Sequence, residues 1–394
     1  MTICGCSLPR PLWEQPLDFR PDSGEPMKIG IMLRHYEQQD GGVKVYTKRI
    51  LPLLFSLGAQ HEYLLIYRNP KLIGTYADYP NVEEVAAAMP GTVLWDQIAV
   101  PWVTRKRQLD LIFNPKFTIP LFVKYRTAFV LHGSEWFAIP EHFRLYDQWY
   151  FKRFVPLYCR RATGFVAVSN AVKADVVKYV GVDPNKVYAI HNGFDPSLFK
   201  PVHDQQQRQS VRAKYRLPEH FILWAGQIES RKNVARLLRA FAQIKDEIPH
   251  HLVLAGEHRW SSTAELRVIK QSGLDGRLCF PGWITHSDLP TVYSLAELFA
   301  FPSLYEGFGI PLVEAMACGC PIVTANTCAP PEVTDGAARL VDPLNVEDIA
   351  AGMRDVLSDP ALRDQLVAKG LERATAFSWD KCARGLLDMF EDLH

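Results

Sequence analysis

The sequence has no excess of either charge and no long apolar run, and each absence excludes a class of protein. Its 44 basic side chains (Lys and Arg) nearly balance its 43 acidic ones, giving a formal net charge of +1. A dedicated nucleic-acid-binding protein normally carries a basic excess, so we expect no nucleic-acid partner. No apolar stretch approaches the ~20 residues that a membrane-spanning helix requires. With 48% hydrophobic and 22% charged residues, the composition is typical of a soluble globular protein.

Cysteine is too sparse for a disulfide framework. The chain has eight cysteines in 394 residues, and several lie inside apolar segments, so we expect buried, reduced thiols. Cys4 and Cys6 are close enough for a metal or redox pair, but no second pair with ligand spacing follows. Residues 1–26 are a proline-rich lead-in without the apolar region of a secretory signal. We therefore predict a cytoplasmic protein.

Short apolar, β-branched runs recur along the chain, and the series restarts after residue 200. The first half contains KIGIML, EYLLIY, LDLIFN, TAFVLHG, GFVAVS and VYAIHNG, and the second half contains FILWAG, HLVLAG, LFAFPS, CPIVTA and ARLVD. Segments with helical periodicity separate many of these runs. Continuous apolar strands interleaved with helices predict parallel sheets that are covered on both faces.

This pattern predicts an α/β protein of two domains, 27–199 and 200–377. Ligands of such sheets bind at the carboxyl ends of the strands, so we expect a shared site in the cleft between the domains. The terminal segment 378–394 predicts an amphipathic helix with Ser378 as its N-cap.

The segment SLYEGFGIPLVEAMACGCPIVT, residues 303–324, places one carboxylate before a glycine turn and a second inside the following helix. Gly307 and Gly309 allow the backbone to approach a ligand, and the free N–H groups of the helix N-terminus favour phosphate. Glu314 has a simple alternative explanation, because acids are common in the first turn of a helix. Glu306, which precedes the glycine turn, has no such explanation. The pair predicts a ligand site.

A second anion-binding pattern lies upstream, in FILWAGQIESRKNVARLL. It places Arg231 and Lys232 between a strand and the start of a helix, where the helix dipole disfavours cations. A bound anion would explain them, because hydrogen bonds to a charged group contribute about 1.5–3 kcal/mol each. A solvated surface pair is the alternative, and this stretch alone leaves both interpretations open.

The motifs together resemble a known family. The second half carries SRKN, LAGE, FPGWI and Glu306-x7-Glu314, and the first half carries DGGVKVY, LHG, AVSNAVKADVVKY and HNGFDPSLF. This ordered set resembles the family-4 (group 1) retaining glycosyltransferases of the GT-B fold over roughly residues 27–394. The resemblance implies two Rossmann-like α/β domains that face each other across a cleft. The first would bind the acceptor and the second the nucleotide-sugar donor, and the terminal helix would close the molecule.

The resemblance also implies roles for individual residues. Glu306 would face hydroxyls of the donor sugar and Glu314 the ribose, since a carboxylate accepts two hydroxyl hydrogen bonds. Arg231 and Lys232 would neutralise the departing diphosphate, and together with Glu306 and His132 they form the expected catalytic set. The other expected donor-binding residues are Gly41, Gly42, Trp283, Ile284, Gly307, Phe308, Gly309 and Ile310.

Four residues end strands of the first half: His132, Ser169, Asn192 and Gly193. His132 would sit beside the reacting sugar, although a lone histidine is more often structural; its place at a carboxyl end favours the site. Ser169 and Asn192–Gly193 would line the pocket.

The activity implied by the resemblance is transfer of a hexosyl unit, with mannosyl or glucosyl favoured, from a nucleotide diphosphate sugar to a saccharide or lipid-linked acceptor. Such a reaction would serve polysaccharide or glycoconjugate biosynthesis, with retention of the anomeric configuration. No Asp-x-Asp motif occurs in the chain. We therefore expect no metal and no cofactor, with Arg231 and Lys232 stabilising the leaving diphosphate instead.

Three other functions stay open at this point. A glycosidase could use Glu306 and Glu314 as its acid and nucleophile, but would leave the Arg-Lys turn without a role. A nucleotide-sugar 2-epimerase would share the scaffold and need no acceptor, and a non-catalytic sugar-nucleotide-binding protein would show no turnover.

The segment WYFKRFVPLYCRRATG, residues 149–164, mixes aromatic and basic side chains. It predicts either a basic amphipathic helix that rests on anionic lipid or a solvated helix whose aromatic side chains enter the core. A peripheral contact with the inner face of the membrane is therefore one of two expectations for this segment.

Overall fold

The computed structural model describes residues 25–37, 42–256, 268–269, 271–274 and 276–394. Within them, each half of the chain forms one parallel β-sheet packed between helices. This arrangement confirms the predicted fold class of two α/β domains. The chain passes from the first sheet to the second between residues 189 and 221, and the predicted boundary at residue 200 stays a prediction.

The strands, numbered in chain order, are β1 (Lys28–Met32), β2 (Glu62–Tyr67), β3 (Val82–Ala86), β4 (Leu111–Asn114), β5 (Arg126–Leu131), β6 (Gly164–Ala167), β7 (Val187–Ala189), β8 (Phe221–Ala225), β9 (His251–Ala255), β10 (Leu278–Gly282), β11 (Leu298–Phe301), β12 (Ile322–Ala325) and β13 (Arg339–Val341).

The α-helices with described bounds are α1 (Gly42–Leu57), α2 (Thr92–Leu94), α3 (Val100–Thr104), α4 (Glu135–Ala138), α5 (Leu145–Arg161), α6 (Asn170–Val180), α7 (Gln205–Tyr215), α8 (Val234–Ile244), α9 (Leu289–Leu295), α10 (Ile310–Ala317), α11 (Pro330–Thr334), α12 (Val346–Ser358), α13 (Pro360–Ala374) and α14 (Trp379–Asp392). A π-helical segment, Trp95–Ala99, joins α2 to α3. The 3-10 helices are Arg34–Glu37, Pro70–Leu72, Pro140–His142, Pro184–Lys186 and Ser230–Lys232.

Both sheets are doubly wound. The first has the strand order β3-β2-β1-β4-β5-β6-β7, and Gly30 pairs with Leu64 on one side and Ile112 on the other. The second has the order β10-β9-β8-β11-β12-β13, and Leu223 pairs with Val253 and Phe299. The order reverses between β1 and β4 and again between β8 and β11. In open α/β sheets, ligands bind outside the carboxyl ends of the strands at such switch points.

Two strands, β3 and β10, were not predicted from the apolar runs in the sequence, and each lies at the edge of its sheet. β3 has the sequence VEEVA, whose two charged residues interrupt the apolar run, and none of its residues is fully buried. β10 has the sequence LCFPG, in which Pro281 lacks the N–H that an interior strand needs for both neighbours. The interior strands were predictable because burial on both faces demands continuous apolar sequence.

The last helix of the chain packs against the first domain. Ser378 caps α14 by accepting a hydrogen bond from a backbone N–H in its first turn. The ring centroids of Trp379 and Tyr46 are 5.8 Å apart, and those of Phe390 and Phe113 are 5.1 Å apart. Because Tyr46 belongs to α1 and Phe113 to β4, α14 completes the core of a domain whose other elements lie more than a hundred and fifty residues earlier.

None of the helices in the described ranges is long and apolar enough to cross a bilayer.

The described cysteines are free thiols, as predicted. Four are buried (Cys159, Cys318, Cys320 and Cys382), and two are partly exposed (Cys279 and Cys328). Cys4 and Cys6 lie outside the described residues.

Candidate active site

Glu306, in the turn after β11, is a buried and ionised carboxylate. Lys232 Nζ donates a hydrogen bond to its Oε1 at 2.7 Å, and Arg231 Nη1 lies 3.6 Å from the same oxygen. Burial alone would raise the pKa of Glu306, but the charges of Lys232 and Arg231 outweigh it and hold the pKa below its ordinary value. Neighbouring strands β8 and β11 bring these residues together, because the two cations follow β8.

Arg231 and Lys232 both have carboxylate partners in the protein itself. Lys232 is buried and lies 4.7 Å above the ring of Phe301. Arg231 Nε donates to Glu229 Oε2 at 2.9 Å. Intramolecular pairing therefore accounts for two adjacent cations before α8 without a bound anion. A diphosphate that enters this turn would have to share the cations with Glu229 and Glu306.

Glu314, on α10, has the opposite electrostatic environment. Its side chain is buried, and Tyr293 donates a hydrogen bond to its Oε2 at 3.4 Å. Burial raises the pKa of Glu314 to about 8, and the hydrogen bond from Tyr293 opposes this only in part. The two acids of the motif therefore differ: Glu306 is ionised at neutral pH, while Glu314 holds its proton.

The glycine turn between these acids makes a close interdomain contact. A Cβ built on Gly307 would overlap the carbonyl oxygen of His132, so only glycine fits there. Ser169 Oγ, from the first domain, donates to the carbonyl oxygen of Gly307 at 2.7 Å. Gly309 has a left-handed φ of 93° and is the N-cap of α10, which Ile310 begins. Phe308, between the two glycines, is buried.

His132 faces this turn from the carboxyl end of β5. Its Nε2–H donates to the carbonyl oxygen of Pro115 at 2.8 Å, which leaves Nδ1 as the acceptor of a neutral imidazole. The ring packs edge-on against Tyr46, with centroids 5.0 Å apart. Burial lowers the pKa of His132 to about 4. The hydrogen bond to Pro115 opposes this lowering of the pKa, and the charge of Lys116 adds to it. His132 is therefore uncharged at neutral pH.

A buried polar cluster lies beside His132. Arg34 Nε is 3.4 Å from Asp96 Oδ1, and His35 Nε2 is 2.8 Å from Thr47 Oγ1. Burial lowers the pKa of His35 to about 3, with a further contribution from Lys116. Burial also raises the pKa of Asp96, although the charge of Arg34 opposes this. Charged groups buried at the carboxyl ends of strands are typical of a binding site.

The remaining predicted residues are more scattered. Gly41 lies outside the described residues, and Gly42 begins α1. Trp283 is 68% exposed, whereas Ile284 beside it is buried, and their contact with a base stays a prediction. Gly193 has a packing role, because a Cβ there would overlap the backbone nitrogen of Trp379. Asn192 beside Gly193 is buried, and its Oδ1 has no hydrogen-bond partner.

Two further polar contacts join the domains around the cleft. Tyr305, next to Glu306, donates to Asp175 Oδ2 at 2.9 Å and accepts from the backbone N–H of Ser134 at 3.0 Å. Glu332, on α11, accepts hydrogen bonds from the first residues of α6 and lies 2.6 Å from His191 Nε2.

Sequence reasoning missed several polar residues of this region: Arg34, His35, Asp96, Lys116, Glu135, Tyr305 and Glu332. Most of them follow the carboxyl end of a strand by a few residues, and that position was an available signal. Asp96 had none, since it lies in the π-helical segment. In the described ranges no three His, Cys, Asp or Glu side chains are close enough to hold a metal ion, and metal-independent chemistry stays a prediction.

Comparison with known families gives a match for each domain. Residues 40–198 match the family described as Glycosyltransferase Family 4. Residues 206–373 match the family described as Glycosyl transferases group 1.

Two of the similar curated proteins are mannosyltransferases of Escherichia coli. The chain is 33% identical over 237 residues to the serotype-specific mannosyltransferase WbdA, covering 59% of this chain and 29% of WbdA. It is 26% identical over 293 residues to the O-antigen chain mannosyltransferase B, covering 74% of this chain and 76% of that protein. The chain thus spans less than a third of the length of WbdA.

Solved structures share the fold. Sucrose-phosphate synthase from Thermosynechococcus elongatus superposes with a TM-score of 0.74 at 22% identity, covering 93% of this chain and 99% of the other. HepE from Anabaena, in complex with UDP and glucose, superposes with a TM-score of 0.72 at 20% identity, covering 93% and 100%. At these identities the likeness concerns the fold, and it confirms the GT-B architecture.

Proposed function

Because the chain belongs to the group 1, family-4 glycosyltransferases, we propose that it moves a hexosyl unit from a nucleotide diphosphate sugar to an acceptor hydroxyl. The observation that carries this proposal is the meeting of Arg231, Lys232 and Glu306 at the switch point of the second sheet, opposite His132 of the first. Two cations that would bind a diphosphate and a carboxylate that would bind sugar hydroxyls lie side by side.

The donor that we propose is a nucleotide diphosphate mannose, with glucose as the second choice. The names of the curated relatives favour mannose, and the acceptor would be a saccharide or lipid-linked saccharide in polysaccharide biosynthesis. Glu306 would accept hydrogen bonds from the donor sugar, and Glu314 would accept them from the ribose. Because Glu314 carries a proton at neutral pH, it would also donate one hydrogen bond unless the nucleotide displaces that proton.

In the reaction that we propose, negative charge grows on the leaving diphosphate as the bond to the anomeric carbon breaks. Arg231 and Lys232 would stabilise this charge, and their pairing with carboxylates holds both side chains in place before the substrate arrives. The acceptor proton would pass to the diphosphate oxygen on the same face of the sugar, which gives retention and requires no metal. Neutral His132 would contribute its Nδ1 as a hydrogen-bond acceptor.

A glycosidase is the rival that one specific observation favours. One ionised and one protonated carboxyl group, as in Glu306 and Glu314, is also the electrostatic arrangement of glycoside hydrolysis. The match of both domains to glycosyltransferase families favours the transferase over the glycosidase. An epimerase or a non-catalytic binding protein would use the same cations, Arg231 and Lys232, so only an activity assay distinguishes these two functions from the transferase.

The deciding experiment measures thermal shifts and turnover with UDP-, GDP- and ADP-hexoses in EDTA, for wild type and Glu314→Ala. We expect one nucleotide sugar to raise the melting temperature by a few degrees when present at about 100 times its Kd. Glu314→Ala should abolish the shift, whereas Glu347→Ala, at an exposed position of α12, should keep it.

Other outcomes have distinct meanings. Cleavage of simple glycosides without nucleotide binding would establish the glycosidase. Epimerised donor without an acceptor would establish the epimerase, and binding without any turnover the non-catalytic protein. Product of inverted anomeric configuration would overturn retention.

We also propose that the protein works at the cytoplasmic face of a membrane and contacts it through α5. One face of this helix presents Leu145, Tyr146 and Trp149, which are 83%, 71% and 59% exposed. Lys152 and Arg153 continue the same face and are also exposed. Apolar side chains followed by cations suit insertion at the headgroups of anionic lipid.

Co-sedimentation with vesicles tests this contact. We expect binding to phosphatidylserine-containing vesicles, weaker binding to phosphatidylcholine alone, and loss of binding in Tyr146→Ser/Trp149→Ser. Equal sedimentation of wild type and this variant would contradict the proposal.

A further inference from the structure

Glu135 brings a third carboxylate to the cleft, in addition to those of Glu306 and Glu229. It begins α4, three residues after His132. Its Oε2 lies against Gly133, so that a Cβ built on Gly133 would overlap this oxygen. The Cα of Gly133 is in turn 3.1 Å from the Cβ position of Gly307. The Glu135 carboxylate therefore stands where the glycine turn of the second domain touches the first.

The charged neighbours of Glu135 belong to the other domain. Burial alone would lower the pKa of Arg231, but the carboxylates of Glu306, Glu229 and Glu135 hold it above its ordinary value. Burial raises the pKa of Glu135, the charge of Arg231 opposes this, and Glu306 and Glu229 add to it. Arg231 and Lys232 are already balanced by Glu229 and Glu306, so Glu135 is an acid in excess of the local cations.

In the described part of the chain, the Glu135 carboxylate forms no ion pair and no hydrogen bond with another residue. An acid in the first turn of a helix commonly faces water, and water then supplies its hydrogen bonds, so the lack of a protein partner needs no further explanation. This one is instead partly buried between the domains and faces Arg231. A carboxylate held in such a place, with no partner among the other described residues, has hydrogen-bonding capacity available for a ligand.

We propose that Glu135 binds the attacking hydroxyl group of the acceptor and aims it at the anomeric carbon of the donor. The proposal rests on the proposed function, in which Arg231 holds the diphosphate. The hydroxyl must approach beside that diphosphate, between the first domain and Arg231, and this is where Glu135 lies. The new bond forms between the hydroxyl oxygen and the anomeric carbon, the bond from that carbon to the diphosphate oxygen breaks with its electron pair, and the hydroxyl proton passes to that oxygen.

Two variants test this role in different ways. Glu135→Ala removes the carboxylate, whereas Gly133→Ala keeps it but displaces it, because the added methyl group occupies the place of Oε2. We expect each to lower kcat/KM for the acceptor by about 10²-fold, since misplacing a reacting group by roughly 1 Å has an effect of that size. Nucleotide affinity should stay within about two-fold of wild type. Glu135→Gln should recover part of the loss, because an amide oxygen still accepts one hydrogen bond.

Glu141→Ala is the matched control, since Glu141 is an exposed acid six residues further along. Wild-type acceptor kinetics in Glu135→Ala would overturn the proposal, as would a loss of nucleotide affinity equal to the loss of transfer, which would place Glu135 on the donor. If wild type itself transfers no sugar from any nucleotide donor, both the proposed function and the role assigned to Glu135 are wrong. If wild type transfers and Glu135→Ala does so equally, only the assignment of Glu135 fails.

Discussion

Lys232 and Glu306 share a buried hydrogen bond, with Nζ 2.7 Å from Oε1. They are 74 residues apart in sequence and meet because β8 and β11 are neighbours at the switch point of the second sheet. Each neutralises the other in a place where an unpaired charge would be strongly destabilising. The pair can therefore be required both for folding and for donor binding. Measuring the stability and the turnover of the same variants separates these two roles.

Lys232→Met should lower the free energy of unfolding by about 3 kcal/mol, because it leaves the Glu306 charge buried with only Arg231 nearby. Adding Glu306→Gln should restore much of this stability without restoring turnover. Urea unfolding and donor turnover of both variants measure the two effects. Lys245→Met, which breaks the more exposed pair with Asp246, should change stability by less than about 0.5 kcal/mol. A double variant no more stable than Lys232→Met would contradict this account.

Stability should fall as the pH rises from about 4.5 to about 8, through the titration of Glu314. Its pKa is raised to about 8 in the folded protein, so the folded state binds more protons than the unfolded state in this interval. Glu314→Gln, which is neutral at every pH, should remove this contribution, which is on the order of a few kcal/mol. Melting temperatures of both proteins between pH 5 and pH 9 measure it. The melting temperature of Glu314→Gln should rise relative to that of wild type as the pH approaches 9. Parallel melting-temperature curves for the two proteins would refute the raised pKa of Glu314.

His132 should not titrate in the physiological range. Burial lowers its pKa to about 4, so its ring nitrogens should keep the chemical shifts of the neutral Nε2–H tautomer from pH 5.5 to pH 7.5. Nitrogen-15 NMR of histidine-labelled protein measures this, and His132→Gln assigns the signal. A transition near pH 6.5 in the assigned signal would show that water reaches the ring.

Glu332→Ala should loosen the contact between the domains. The carboxylate accepts hydrogen bonds from the backbone N–H groups of Asn170 and Ala171 and lies 2.6 Å from His191 Nε2. Its loss removes the acceptor of two backbone donors at the start of α6 and of His191. Because these donors are exposed or partly buried, water can replace the carboxylate, and each lost hydrogen bond costs about 0.5–1.5 kcal/mol. Small-angle X-ray scattering should show a larger radius of gyration for Glu332→Ala than for Glu372→Ala, an exposed site on α13. Identical scattering of the two variants would show that Glu332 does not hold the domains together.

The interior strands of both sheets and the strand–turn–helix segment that carries Glu306 and Glu314 were predictable because they follow local rules. Continuous apolar runs identified the buried strands, and glycine turns followed by a helix identified the Glu306–Glu314 segment. β3 and β10 were missed because an edge strand is buried on fewer sides and tolerates charge or proline.

The contacts of the site were less accessible to sequence reasoning because they are long-range. Glu306, which neutralises Lys232, is 74 residues away in sequence, and no local pattern predicts that pairing. Glu229 is only two residues before Arg231, so its ion pair with Arg231 was within reach of sequence reasoning and was overlooked. Glu135 was overlooked because its neighbours Arg231 and Glu306 come from the other domain. The sign of the Glu314 shift likewise depends on surroundings that only the fold supplies.

The position of α14 has a consequence for the order of synthesis. The first domain leaves the ribosome early, but the surface of α1 that receives Trp379 and the side of β4 that receives Phe390 stay uncovered until α14 has been made. That apolar surface is then available to chaperones throughout translation of the second domain. A nascent chain arrested before residue 378 should consequently be captured by chaperones and degraded, even though every described strand has already been synthesised.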